Sequence, residues 1–146
     1  MATFGNRIVS EVIMNDPLGN AVDPTSALPS QATQVNASSG NVSNSVAAAT
    51  LPAVASKTNF LTGFEISGSG ATVGLPVSVT IIGVLGGTLT YTYNYGAGAL
   101  VGNQPLMASF FPPLQASALN TAITVSCPAG GVGNTSNTCN VHGYLK

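Results

Sequence analysis

Charge is what this sequence has least of. Asp, Glu, Lys and Arg make up 5% of its 146 residues, against about 25% in ordinary soluble domains. The seven charged side chains are Arg7, Glu11, Asp16, Asp23, Lys57, Glu65 and Lys146, and none lies between Ile66 and Leu145. Proteins gain most of their affinity for nucleic acid by setting Lys and Arg against phosphates. The composition therefore predicts no nucleic-acid partner. The formal net charge is −1, which leaves little repulsion between copies and favours association. No apolar run approaches the ~20 residues of a membrane-spanning helix, so no membrane partner is expected. The opening MATFGNRIVSEVIMNDP is broken by Ser10 and Glu11 and lacks the apolar stretch of a secretory signal.

Groups that do chemistry are equally scarce. Catalysis needs side chains that titrate usefully, hold metal or act as activated nucleophiles. From residue 41 onward there is one carboxylate, Glu65, together with one histidine, His142, and two cysteines, Cys127 and Cys139. Glycoside hydrolysis needs a pair of carboxylates, and a structural zinc site needs four ligands. The expectation is a non-enzymatic protein with no cofactor and no metal site. The glycine-rich stretches GSGATVG (68–74) and GAGALVG (96–102) lack a P-loop lysine and open no helix, so they read as turns. Cys127 and Cys139 fall at the facing ends of what reads as one hairpin. Pairing in register would bring them within disulfide range. The preferred state is two small buried thiols, which a reducing compartment would keep unpaired.

Organisation changes along the chain. Residues 15–34, NDPLGNAVDPTSALPSQATQ, are rich in proline and turn formers, and an Asn/Ser-rich stretch follows. Such mixtures pack poorly, so residues 1–40 are predicted to form an extended arm. Within it, Ile8, Val9, Val12 and Ile13 form a short apolar patch, too short to be stable alone, which is a candidate contact surface. From residue 41 the hydrophobic period becomes two. Strands are predicted at 42–51, 58–67, 77–84, 88–95, 106–111, 121–127 and 137–145, with Gly86-Gly87 marking a hairpin and Pro112-Pro113 ending the fifth strand. Residues 41–146 thus read as one all-β domain, a β-sandwich with the jelly roll as a specific form of it. Tyr91, Tyr93 and Tyr95 share one face of their strand. They form either a half-buried sheet face or a surface between subunits, where Tyr is favoured.

The stretch from Ser38 to Gly98 and the closing LNTAITVSCPAGGVGNTSNTCNVHGYLK resemble a family of tailed-phage and prophage virion proteins. The likeness covers about residues 38–146. Its signature blocks are KTNFLTGF (57–64), GGTLTYTY (86–93) and HGY (142–144), and Leu119 stands where the family has Ala. These blocks mark a sheet, not a catalytic site. The resemblance implies a bacteriophage structural protein, foremost a capsid decoration (cement) protein bound to the major capsid protein or to other virion proteins. It also implies a homo-oligomer, with a trimer favoured, located in the virion. The alternative is a fibre or tail adhesin module that binds a host cell-surface receptor or glycan.

Overall fold

The computed structural model describes residues 32–98 and 104–146. They contain eight strands: β1 (Thr33–Ser38), β2 (Ala47–Leu51), β3 (Asn59–Ser69), β4 (Pro76–Ile82), β5 (Leu89–Asn94), β6 (Leu106–Gln115), β7 (Ile123–Cys127) and β8 (Ser136–Leu145). The strands form two four-stranded sheets, ordered β1-β8-β3-β6 and β2-β7-β4-β5, and every pairing is antiparallel. First pairs with last, second with seventh, third with sixth and fourth with fifth. This nesting is the jelly roll, the arrangement in which a folded-over ribbon of eight strands wraps into a sandwich.

Alternation in the sequence puts one apolar row of each strand inside. In β2 the row is Ala47, Ala49 and Leu51; in β4 it is Val77, Val79 and Ile81; in β7 it is Ile123, Val125 and Cys127. The first sheet answers with Leu61, Phe64, Ile66, Cys139 and Val141. Phe64 makes an edge contact with Tyr91 of the opposite sheet at 5.5 Å between ring centroids. Each fully buried Leu, Ile, Val or Phe contributes roughly 1.5–3 kcal/mol from burial, so the sandwich is held mainly by these two facing rows. The hairpin expected at Gly86-Gly87 joins β4 to β5, with φ of 93° and 102° at the two glycines, values at which a side chain would be strained.

Four expectations need correction. The predicted arm runs to residue 40, but Thr33–Ser38 is a strand that pairs with the C-terminal β8 from Thr33↔Leu145 to Ser38↔Asn140. The compact unit therefore begins at Thr33. The first predicted strand is shorter than expected, at Ala47–Leu51. The strand expected to stop before Pro112 instead continues to Gln115. It does so because β6 is an edge strand, where proline removes no ladder hydrogen bond that the sheet requires. Finally, β7 and β8 are not a hairpin. The jelly roll sends them to opposite sheets, with Cys127 opposite Ala47 of β2 and Cys139 opposite Ile66 of β3.

Candidate functional site

The outer face of the first sheet is where this chain gathers its polar chemistry. The register lines up four side chains across four strands. Asn36 of β1 lies directly opposite His142 of β8, His142 pairs with Gly63 of β3, and Glu65, two residues further along β3, lies opposite Met107 of β6. Inward residues alternate with outward ones. Phe64 and Ile66 therefore face the core while Glu65 faces solvent, and Val141 is buried while His142 is half exposed.

A break in register shapes the surface. Between Leu61 and Gly63, β3 advances two residues while β8 passes only from Gly143 to His142. This is a bulge that leaves Thr62 out of the ladder. Its hydroxyl donates to the His142 carbonyl at 3.0 Å. On the other side, β6 passes from Leu114 to Ser109 over the same step of β3, so Phe110–Pro113 have no register partner on β3, with Phe110 partly buried against the core. Gly63 is needed at this point, since a Cβ there would lie 2.6 Å from the Ala108 carbonyl oxygen. The result is a depression of about 310 Å³, lined by Thr62, Gly63, Glu65, Met107, Ser109 and His142, among others. Phe111, on the unpaired stretch of β6, stands fully exposed, at 101% of its reference surface.

Within the depression, His142 Nε2 lies 3.9 Å from Glu65 Oε1, and His142 Nδ1 lies 3.2 Å from Asn36 Oδ1. The only histidine of the chain and the only carboxylate side chain of the sandwich, 77 positions apart, thus become neighbours. Among the described residues, no group of three or more His, Cys, Asp or Glu converges as a metal cluster.

The residues singled out from sequence are distributed differently. Cys127 and Cys139 are buried free thiols. Burial raises both thiol pKa values, and Cys139 is pushed up to about 12. Cys139 points inward and His142 outward from the same strand, so they cannot act together as nucleophile and base. The tyrosines do not form an outer surface. Tyr93 and Tyr95 are buried and Tyr91 is partly buried against the core, because the outward positions of β5 are taken by Thr90, Thr92 and Asn94. Burial raises the pKa of both Tyr93 and Tyr95. The Tyr95 hydroxyl donates to Asn137 Oδ1. The Asn137 amide in turn donates to the carbonyls of Ser45, Cys127 and Pro128, each at 3.2 Å. Ile8, Val9, Val12 and Ile13 lie outside the described residues.

Asn36 and Met107 were not singled out from sequence, and no local signal marks them. Only the strand register brings them into the row. No protein-family model matches this chain, and neither a curated protein nor a solved structure matches it.

Proposed function

We propose that this chain is a non-enzymatic structural component of a bacteriophage particle: a decoration protein, assembled in the bacterial cytoplasm, that sits on the shell of the major capsid protein and stabilises it. The observation that carries this reading is an eight-stranded jelly roll whose second sheet presents an outer face without a single charge. Jelly rolls recur in viral capsid and lectin domains. The outward residues of that sheet are Ala48, Thr50, Thr124, Ser126, Pro76, Ser78, Thr80, Ile82, Thr90, Thr92 and Asn94. Such a face can be covered by another protein without stripping water from ions, which is the most expensive part of burying a polar surface. The resemblance of residues 38–146 to tailed-phage virion proteins supports the same reading.

Self-association fits this picture. The edges of the second sheet, β2 and β5, carry neither charge nor proline in AAATL and LTYTYN, the usual devices that blunt an edge. Closure into a small symmetric oligomer, a trimer in the present reading, would cover such edges. The second reading, a fibre or tail adhesin, is favoured by the depression around Glu65 and His142, which offers a carboxylate, an imidazole and two hydroxyls to a neutral hydroxylated ligand.

The test is to remove the chain from the particle and restore it. Particles lacking it are expected to release DNA at a lower temperature, and added purified protein is expected to reverse the loss. Unchanged thermal stability, combined with loss of host-cell binding, would favour the adhesin instead.

A further inference from the structure

We infer that residues 7–14 of one copy of this chain dock as an added strand on β6 of a second copy, where they cover an apolar seam left open between β6 and β5.

The seam follows from where the two sheets end. Phe64 of β3 contacts the rings of both Tyr91 of β5 and Phe110 of β6, at 5.5 and 6.2 Å between centroids. These two edge strands therefore lie on the same side of the core. The other edge of the second sheet, β2, keeps Ala47, Ala49 and Leu51 fully buried. Along β6 and β5, Leu106, Ala108, Phe110, Leu89 and Tyr91 are only partly buried. Met107 and Phe111 of β6 are exposed besides, at 69% and 101% of their reference surface. A strand apolar toward both sides is the kind found inside a sheet and covered on both faces. Yet β6 is an edge, and from Leu106 to Phe111 it carries neither the charge nor the proline that usually blunts one. Such an edge takes up an extended segment through its main-chain groups, and the side chains alongside select which segment binds.

The chain supplies a fitting segment. Read as a strand, RIVSEVIM (7–14) sets Ile8, Ser10, Val12 and Met14 on one side and Arg7, Val9, Glu11 and Ile13 on the other. The first row is mostly apolar and matches the seam. The second row would lie along the outer face, where Glu65 of β3 stands opposite Met107 of β6. Arg7 is the only arginine of the chain and Glu65 the only carboxylate side chain of the sandwich. Their charges are complementary across two strand spacings, about 10 Å, a gap that extended Arg and Glu side chains span. The tether is long enough. Residues 15–32 separate the segment from Thr33 and reach up to about 60 Å when extended. The chain enters the sandwich at β1, three strand spacings from β6, or about 14 Å. A segment on that tether reaches past its own sandwich, and reciprocal exchange closes into a symmetric oligomer in which every β6 is covered. The exchange involves copies of this chain alone, so it stands or falls separately from binding to a shell.

The test is NMR of the full chain in a mixture of ¹³C-labelled and unlabelled copies. Isotope-filtered contacts are expected between the Ile8 and Val12 methyl groups of one copy and the Phe110 and Tyr91 rings of another. Ile8→Asn combined with Val12→Asn should abolish those contacts. The same double variant should speed amide exchange in β6 about 10-fold or more, as loss of a covering strand exposes local opening, and leave β8 unchanged. Arg7→Glu should speed β6 exchange about threefold, the size of an exposed ion pair, and Glu65→Arg in the same chain should restore the protection. An unchanged strand circular dichroism spectrum would establish that each variant keeps its sandwich. Absence of contacts between copies, contacts from a second β6 in place of residues 7–14, or β6 exchange unchanged in the double variant would each overturn the inference.

Discussion

The two sheets of this sandwich share a core and present opposite kinds of surface. The second sheet runs in unbroken register, and its outer hydroxyls satisfy one another across strands, Thr50 with Thr124 at 2.8 Å and Thr80 with Ser126 at 2.9 Å. Its tyrosines and thiol are turned inward, Tyr93, Tyr95 and Cys127 buried and Tyr91 partly buried against the core. The first sheet is broken by the bulge at Thr62 and the register shift across Phe110–Pro113, and it turns Glu65 and His142 outward. A regular hydroxyl face suits broad contact with protein, whereas an irregular face with a few reactive groups suits a local site. One fold supplies both because a jelly roll gives each sheet its own set of strands.

The largest expected effect concerns the hidden groups. Cys127, Cys139, Tyr93 and Tyr95 have folded pKa values raised above the ordinary 9.0 of a thiol and 10.0 of a phenol, chiefly by burial. A raised acid holds its proton more tightly in the folded state, so its contribution is complete below pH 9 and is lost as the pH climbs toward 12. Denaturant midpoints should therefore fall steeply between pH 9 and 12. Glu65→Gln and His142→Ala should leave that fall unchanged, since these groups stand on the outer face. A flat alkaline profile would mean that the interior is wet.

Next in size is the shared core. Phe64→Ala should cost about 3–5 kcal/mol in chemical denaturation, the usual range for a buried phenylalanine, because it removes a ring packed against Tyr91 and Phe110. Asn137→Ala should cost about 3 kcal/mol, since it leaves three carbonyls and the Tyr95 hydroxyl without the amide they share. Gly63→Ala should cost about 1–3 kcal/mol, the range for forcing atoms into a filled space, and in hydrogen exchange it should loosen β6 selectively. The smallest effect is expected on the second outer face, where Thr50→Val should change stability by no more than about 0.5 kcal/mol. A larger loss there would show that the hydroxyl pairs hold the sheet together and are not simply its surface.

The strands that could be read from sequence are those with strict alternation. Leu89 to Tyr95 and Val77 to Ile81 announce themselves, and Gly86-Gly87 announces the turn between them. Thr33–Ser38 was missed because only Val35 and Ala37 face inward there, too few apolar positions to show a period amid Asn, Gln and Ser. Its strand character comes from pairing with β8, a partner more than a hundred residues away. The same non-local pairing hid the site. Alternation predicts that Glu65 points outward, but nothing near Glu65 or His142 in sequence says that they meet. The separation of Cys127 from Cys139 into different sheets is likewise a property of the jelly roll's wrapping, which local spacing does not encode.

The central claim is that this domain belongs to a phage particle and lies on its shell, and counting copies tests it most directly. Quantitative mass spectrometry of purified particles should find this chain in a simple ratio to the major capsid protein, one to one or a small fraction set by the lattice. Absence of the chain from the particles, or its presence in only a few copies, would contradict the account.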